Sequence, residues 1–146
     1  MVKTIAILAA GLLTAACASA QNPQADDDGT EPRLQDAGLA AVSTVRIARN
    51  AARAKGPESD QADCSGFVLD DASVRKFFAT TRAVAADDYW HTLDWSPCHA
   101  SGTVTFVDGR TATWSLHQLQ AGSVVFEDGR EIYLYCPECR FKPFVW

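Results

Sequence analysis

The sequence predicts an α+β domain: a four-stranded antiparallel meander built from two Asp-Gly hairpins, with one amphipathic helix packed on its apolar face, preceded by a disordered or marginally helical N-terminal region. Three observations predict it. The stretch TFVDGRTATW, beginning at Thr105, returns as VFEDGREIYL, beginning at Val125, so the chain writes one hairpin twice. In both copies the apolar residues keep even positions on either side of the turn, as in Val104 and Phe106 against Ala112, Trp114 and Leu116. Ahead of the repeat, Val74, Phe77, Phe78, Thr81 and Val84 follow the i, i+3, i+4, i+7 spacing of one helical face.

Residues 1–20 read as an export signal. Lys3 precedes an apolar run from Ile5 to Ala16, and Ala18-Ser19-Ala20 supplies an A-x-A cleavage pattern. The run is shorter than the roughly 20 apolar residues of a spanning helix. A second processing route competes: Leu13-Thr14-Ala15-Ala16-Cys17 resembles the bacterial lipobox, which would lipidate Cys17, although Thr14 stands where that pattern wants Leu. Both routes export the chain, to the periplasm or to a lipid-anchored position on a membrane. Loss of Lys3 with the leader moves the formal net charge from -5 to -6, an acidity that argues against nucleic acid as a partner.

Residues 21–62 read as a tether. Asp26, Asp27, Asp28 and Glu31 cluster where there is almost nothing to bury. Leu34 to Lys55 is alanine-rich, with Leu34, Ala41, Val45, Ala48 and Ala52 near helical spacing and Gly56-Pro57 as a stop. So thin an apolar stripe predicts a marginal helix or spacer. Arg46, Arg49 and Arg53 would share one side of that helix, where they could meet anionic envelope polymers or lipid headgroups.

Residues 63–146 form the predicted disulfide-stabilised domain. Phe67-Val68-Leu69 suits a brief strand or an entry into the helix that Asp70 or Asp71 caps. In the hairpins, a two-residue loop would pair even with odd positions and turn one apolar set outward. The shared parity therefore calls for three-residue loops, Val107-Asp108-Gly109 and Glu127-Asp128-Gly129, each with its glycine in the left-handed conformation as a G1 bulge. The outer face is left with Thr103, Thr105, Thr111, Thr113, Ser115, Ser123, Glu131, Tyr133 and Tyr135.

Cysteine arithmetic predicts two disulfides. With Cys17 set aside, Cys64, Cys98, Cys136 and Cys139 remain, an even number in an exported chain. Cys64 with Cys98 and Cys136 with Cys139 is the first choice of connectivity, with Cys98 to Cys136 as a competitor across the sheet end. Cys136-Pro137-Glu138-Cys139 also has the spacing of a thiol-disulfide centre, with Cys136 attacking and Cys139 resolving, but it follows a strand instead of opening a helix. Zinc on the four cysteines and His99 is a further alternative that lacks a second C-x-x-C.

No catalytic constellation is legible. Asp94-Trp95-Ser96-Pro97-Cys98-His99 holds an acid, a nucleophile and a base, but reads as a turn leading into a disulfide. His91 and His117 read as surface or hydrogen-bonded histidines. The sequence calls for no cofactor and no metal: it has no phosphate-cradling glycine loop and no H-E-x-x-H. Tyr89, Trp90, Trp95, Tyr133, Tyr135 and Trp146 remain, residue types that concentrate at binding hot spots. Either Trp90, Trp95, Tyr133, Tyr135 and Trp146 form a contact surface, or the tail folds back and Trp95 plugs the sheet end. The function predicted is a non-catalytic envelope domain that binds a protein or envelope component through aromatics, an inhibitor or immunity role included.

Overall fold

The computed structural model describes residues 29–56 and 59–146. The expected leader, residues 1–20 with Cys17, lies outside the described residues, as does the acidic run Asp26 to Asp28. The fold is mostly β, which corrects the α+β expectation: one seven-stranded antiparallel sheet carries two short helices. The strands are β1 (Leu34–Gln35), β2 (Val42–Arg53), β3 (Arg82–Val84), β4 (Cys98–Phe106), β5 (Thr111–His117), β6 (Ala121–Phe126) and β7 (Glu131–Tyr135), in the order β1-β3-β7-β6-β5-β4-β2. The helices are α1 (Asp71–Thr80) and α2 (Ala86–His91).

The two hairpins form the middle of this sheet. Thr105 pairs with Thr111 and Val125 with Glu131, and the amides of Phe106 and Phe126 donate to the carbonyls of Arg110 and Arg130. Three residues therefore turn each corner, with Gly109 at φ 87° and Gly129 at φ 84°. Asp108 and Asp128 accept the amides of Arg110 and Arg130, so each aspartate side chain braces its own loop.

The meander does not stop at β4, because β2 pairs with it from Val42 to Arg53, with interruptions. A bare β4 would expose a row of unpaired amides and carbonyls, and β2 satisfies them. The predicted helix over Leu34 to Lys55 is overturned by this pairing: Val42, Thr44, Val45 and Ile47 are β-branched, and tertiary hydrogen bonding outweighs the helix preference of the alanines. Register breaks fall between Val42 and Thr44, Ile47 and Arg49, and Arg49 and Ala52. At the last of them Ala51 takes φ 50°, and the chain leaves the ladder long enough to grip Phe67 to Leu69. Ala51 donates to the Phe67 carbonyl, while the Asn50 amide both donates to and accepts from the backbone of Leu69. Phe67 and Leu69 are thereby fixed as core residues without being a strand of the sheet.

Helix α1 begins where the sequence asks it to, with the Asp70 carboxylate accepting the Ser73 amide at 2.7 Å. It ends earlier than the apolar spacing suggests. Thr81 caps it with extended backbone, and Val84 belongs to β3, whose pairing with β7 continues the sheet. Val74, Phe77 and Phe78 press onto the even-numbered face, where Val104, Phe106, Trp114, Leu116, Val124 and Leu134 are buried. The C-terminal tail folds back over the same core: Phe144 is wholly buried, stacked on Phe77 and edge-on to Phe67 and Phe141. Among the described residues, no helix is long and apolar enough to cross a membrane.

Candidate functional site

With α1 and the tail on one face, chemistry is left to the other. The registers place rows of side chains across it: Arg49, Ser101, Ser115, Ser123 and Tyr133 in one, and Ala52, His99, His117, Ala121 and Tyr135 beside it. Helix α2 lies over the β7 side of this face. Tyr89 stacks on Tyr133 with ring centroids 4.6 Å apart, and Trp90 meets both rings edge-on. The helix is too short to hold itself there. Arg33 clamps it instead, donating from its guanidinium and its backbone amide to the buried Asp88, and holds that carboxyl below the usual carboxylate range.

Between α2 and β4 lies a cleft of about 270 Å³, lined by Ala54, Tyr89, Trp90, Trp95, Ser96, His99, Ser115, His117 and Ser123. A second hollow of about 380 Å³ shares Ser115 and Ser123 with it and runs on towards β2 past Ser101, Thr103, Thr113 and Ala48. Together they make a groove across the face, some 14 Å from β2 to β6 at the usual strand spacing of about 4.8 Å. Trp90 and Trp95 are 58% and 54% exposed, so two large rings stand open to a ligand beside a floor of hydroxyls and imidazoles.

The two imidazoles are partners across β4 and β5 and take different tautomers. His99 Nδ1 lies 3.2 Å from the Pro97 carbonyl, which can only accept, so in the neutral ring Nδ1 carries the proton and Nε2 the lone pair. His117 Nδ1 accepts the Leu119 amide at 3.3 Å, which puts its proton on Nε2. Burial, and secondarily the charge of His99, push His117 down to about 4. Burial, with smaller contributions from Tyr133 and Glu131, pushes the Tyr89 phenol up to about 12, so it stays neutral.

The linkage of His117 has a definite sign. Its folded value lies below the ordinary 6.5, so the unfolded chain binds the proton more readily and stability falls as pH drops through 6.5 towards 4. Between about pH 7 and about pH 5 the loss is about 2 kcal/mol. Urea midpoints at those two values, compared with His117→Gln, measure it; the variant is expected to flatten the change.

Trp90 and Trp95 line the cleft; Trp95 leaves its ring in solvent instead of plugging the sheet end. Tyr133 lies half-buried under α2 and donates to Glu131, and Tyr135 is half-buried in the neighbouring row. Trp146 is exposed beyond Phe144, on the chain segment that packs with α1. His99 and His117, read singly from sequence, are brought together. Ser96 is buried, its hydroxyl accepting the Cys98 amide, so the hydroxyl serves the turn.

The cysteines form two disulfides, Cys64 to Cys98 and Cys136 to Cys139. All four are buried, and none is a free ligand for zinc. Among the described residues no cluster of three or more His, Cys, Asp or Glu could hold a metal ion. Thr80, the last residue of α1, brings its hydroxyl to 3.2 Å from Cys136 Sγ and 3.5 Å from Cys139 Sγ. The pair thus sits at the negative end of a helix dipole, where a thiolate is disfavoured, the reverse of the arrangement that activates a C-x-x-C.

No family model matches the chain, and neither a curated protein nor a solved structure matches it.

Proposed function

We propose that this is a non-catalytic binding domain of an exported cell-envelope protein, and that its outer-face cleft takes a glycan. The observation that carries the reading is the pairing of two open indole rings, Trp90 and Trp95, with a floor of Ser115, Ser123, His99 and His117. A sugar ring offers an apolar C–H face and a rim of hydroxyls. The first packs on an aromatic face, and the second needs donors and acceptors at fixed positions. The tautomers supply both, a lone pair on His99 Nε2 and an N–H on His117 Nε2.

Hydrolysis is not part of the proposal, since glycoside cleavage calls for a pair of carboxylates and no Asp or Glu lines the cleft. Export rests on the leader read in residues 1–20 and is supported by the two disulfides, which persist in oxidising compartments. Trp90→Ala with Trp95→Ala should leave the fold intact, because both rings are more than half exposed. Against a panel of soluble envelope glycans, calorimetry should then show binding weakened by at least about tenfold, the scale of a lost aromatic hot spot. Binding that survives the double substitution would remove this cleft as the site.

A further inference from the structure

Resting on that glycan reading, we infer that the ligand is an acidic polysaccharide whose carboxylates are held by Arg46 and Arg49 at the β2 end of the groove. The bulge in β2 is the first observation. Three residues apart on a regular strand, these two side chains would point to opposite faces. The register break between Ile47 and Arg49 sets Arg46 opposite Thr103 and Arg49 opposite Ser101, so both stand on the outer face beside the hydroxyl floor.

Their lack of partners is the second. Arg33 is bound to Asp88, Arg75 to Asp71 and Arg110 to Asp108, while Arg53 donates to the carbonyls of Asp60 and Ala62. The side chains of Arg46 and Arg49, both exposed, have no hydrogen bond or ion pair among the described residues. The third observation is the ground beneath them: β4, β5 and β6 contain no charged residue, so the groove offers these guanidinium groups no internal counter-ion. In a chain of net charge -5, two adjacent unneutralised arginines form a local cationic edge to a neutral, hydroxyl-lined groove. Their planar forks match carboxylates bidentately. Neutral parts of the strand then lie over Ser101, Ser115 and Ser123 towards the Trp90 and Trp95 rings.

The test compares polygalacturonate with its fully methyl-esterified, neutral counterpart, using wild type, Arg46→Gln with Arg49→Gln, and Trp90→Ala with Trp95→Ala. Arg140→Gln with Lys142→Gln, on the tail segment, removes the same two charges and controls for net charge. Expected is tighter binding of the acidic polymer by wild type, weakening with salt. The double arginine variant should lose at least about tenfold on that polymer and nothing on the neutral one. The tryptophan variant should weaken on both. Equal affinity for the two polymers, or acidic-polymer binding untouched by the arginine substitutions, overturns the inference while tryptophan-dependent binding keeps the cleft reading. Wild type that binds neither polymer overturns the inference, while tryptophan-dependent binding in the glycan panel decides the cleft reading separately.

Discussion

Replacing Cys64 and Cys98 together by alanine lowers the unfolding free energy by about 4 kcal/mol, whereas the same replacement of Cys136 and Cys139 costs about 2 kcal/mol. All four residues are buried, and each double variant removes one disulfide and leaves two alanines, so the chemistry removed is matched. The difference lies in the chain each bond closes: a separation of 34 residues against one of 3. The longer loop holds Phe67, Leu69 and the whole of α1, so its release frees in the unfolded chain the residues that cover the sheet. Paired urea titrations on the two double variants measure the gap, and equal losses would contradict the loop argument.

Alanine at Gly102 or at Gly122 is expected to cost about 3 kcal/mol, against about 1 kcal/mol at Gly109. Gly102 and Gly122 stand three residues ahead of the two copies of the repeat and Gly109 within the first, and they are glycine for different reasons. A Cβ on Gly102 would fall on the Arg46 carbonyl and press on the Trp114 ring; on Gly122 it would fall on the Ser115 carbonyl and Leu116. The two carbonyls are backbone atoms held by the ladder and cannot step aside. Gly109 has open space around it, and its substitution costs only the strain of φ 87°. Thermal unfolding of the three variants orders them, and a Gly102→Ala as mild as Gly109→Ala would mean that β2 moves easily against β4.

The parts of the fold that could be read from the sequence are those whose pairing is local. Asp108-Gly109 and Asp128-Gly129 set their own loops, and parity extends the register along β4 to β7. Continued far enough, that parity also sets His99 opposite His117, so the pair at the cleft is within reach of the sequence. β1, β2 and β3 were not within reach, because Leu34 pairs with Val84 and Val42 with Phe106 across long stretches of chain. The register breaks made matters worse. They destroy the alternation by which a strand announces itself, and leave arginines at spacings of three and four that imitate a helix. Trp90 and Trp95 could be picked out by residue type, but the wall they form depends on the Arg33–Asp88 clamp, which joins segments far apart in the chain.

The irregular course of β2 bears on a different hazard. As the last strand on its side of the sheet, it would offer a long flat template for a neighbouring molecule to copy. Three interruptions of register in 12 residues leave no straight run for another chain to follow, and Arg46, Arg49 and Arg53 set like charges against a second copy of the same edge. The distortion that turns two arginines onto one face thus also guards the protein against self-assembly into ordered stacks, and an edge straightened by mutation would be soluble only at lower concentration.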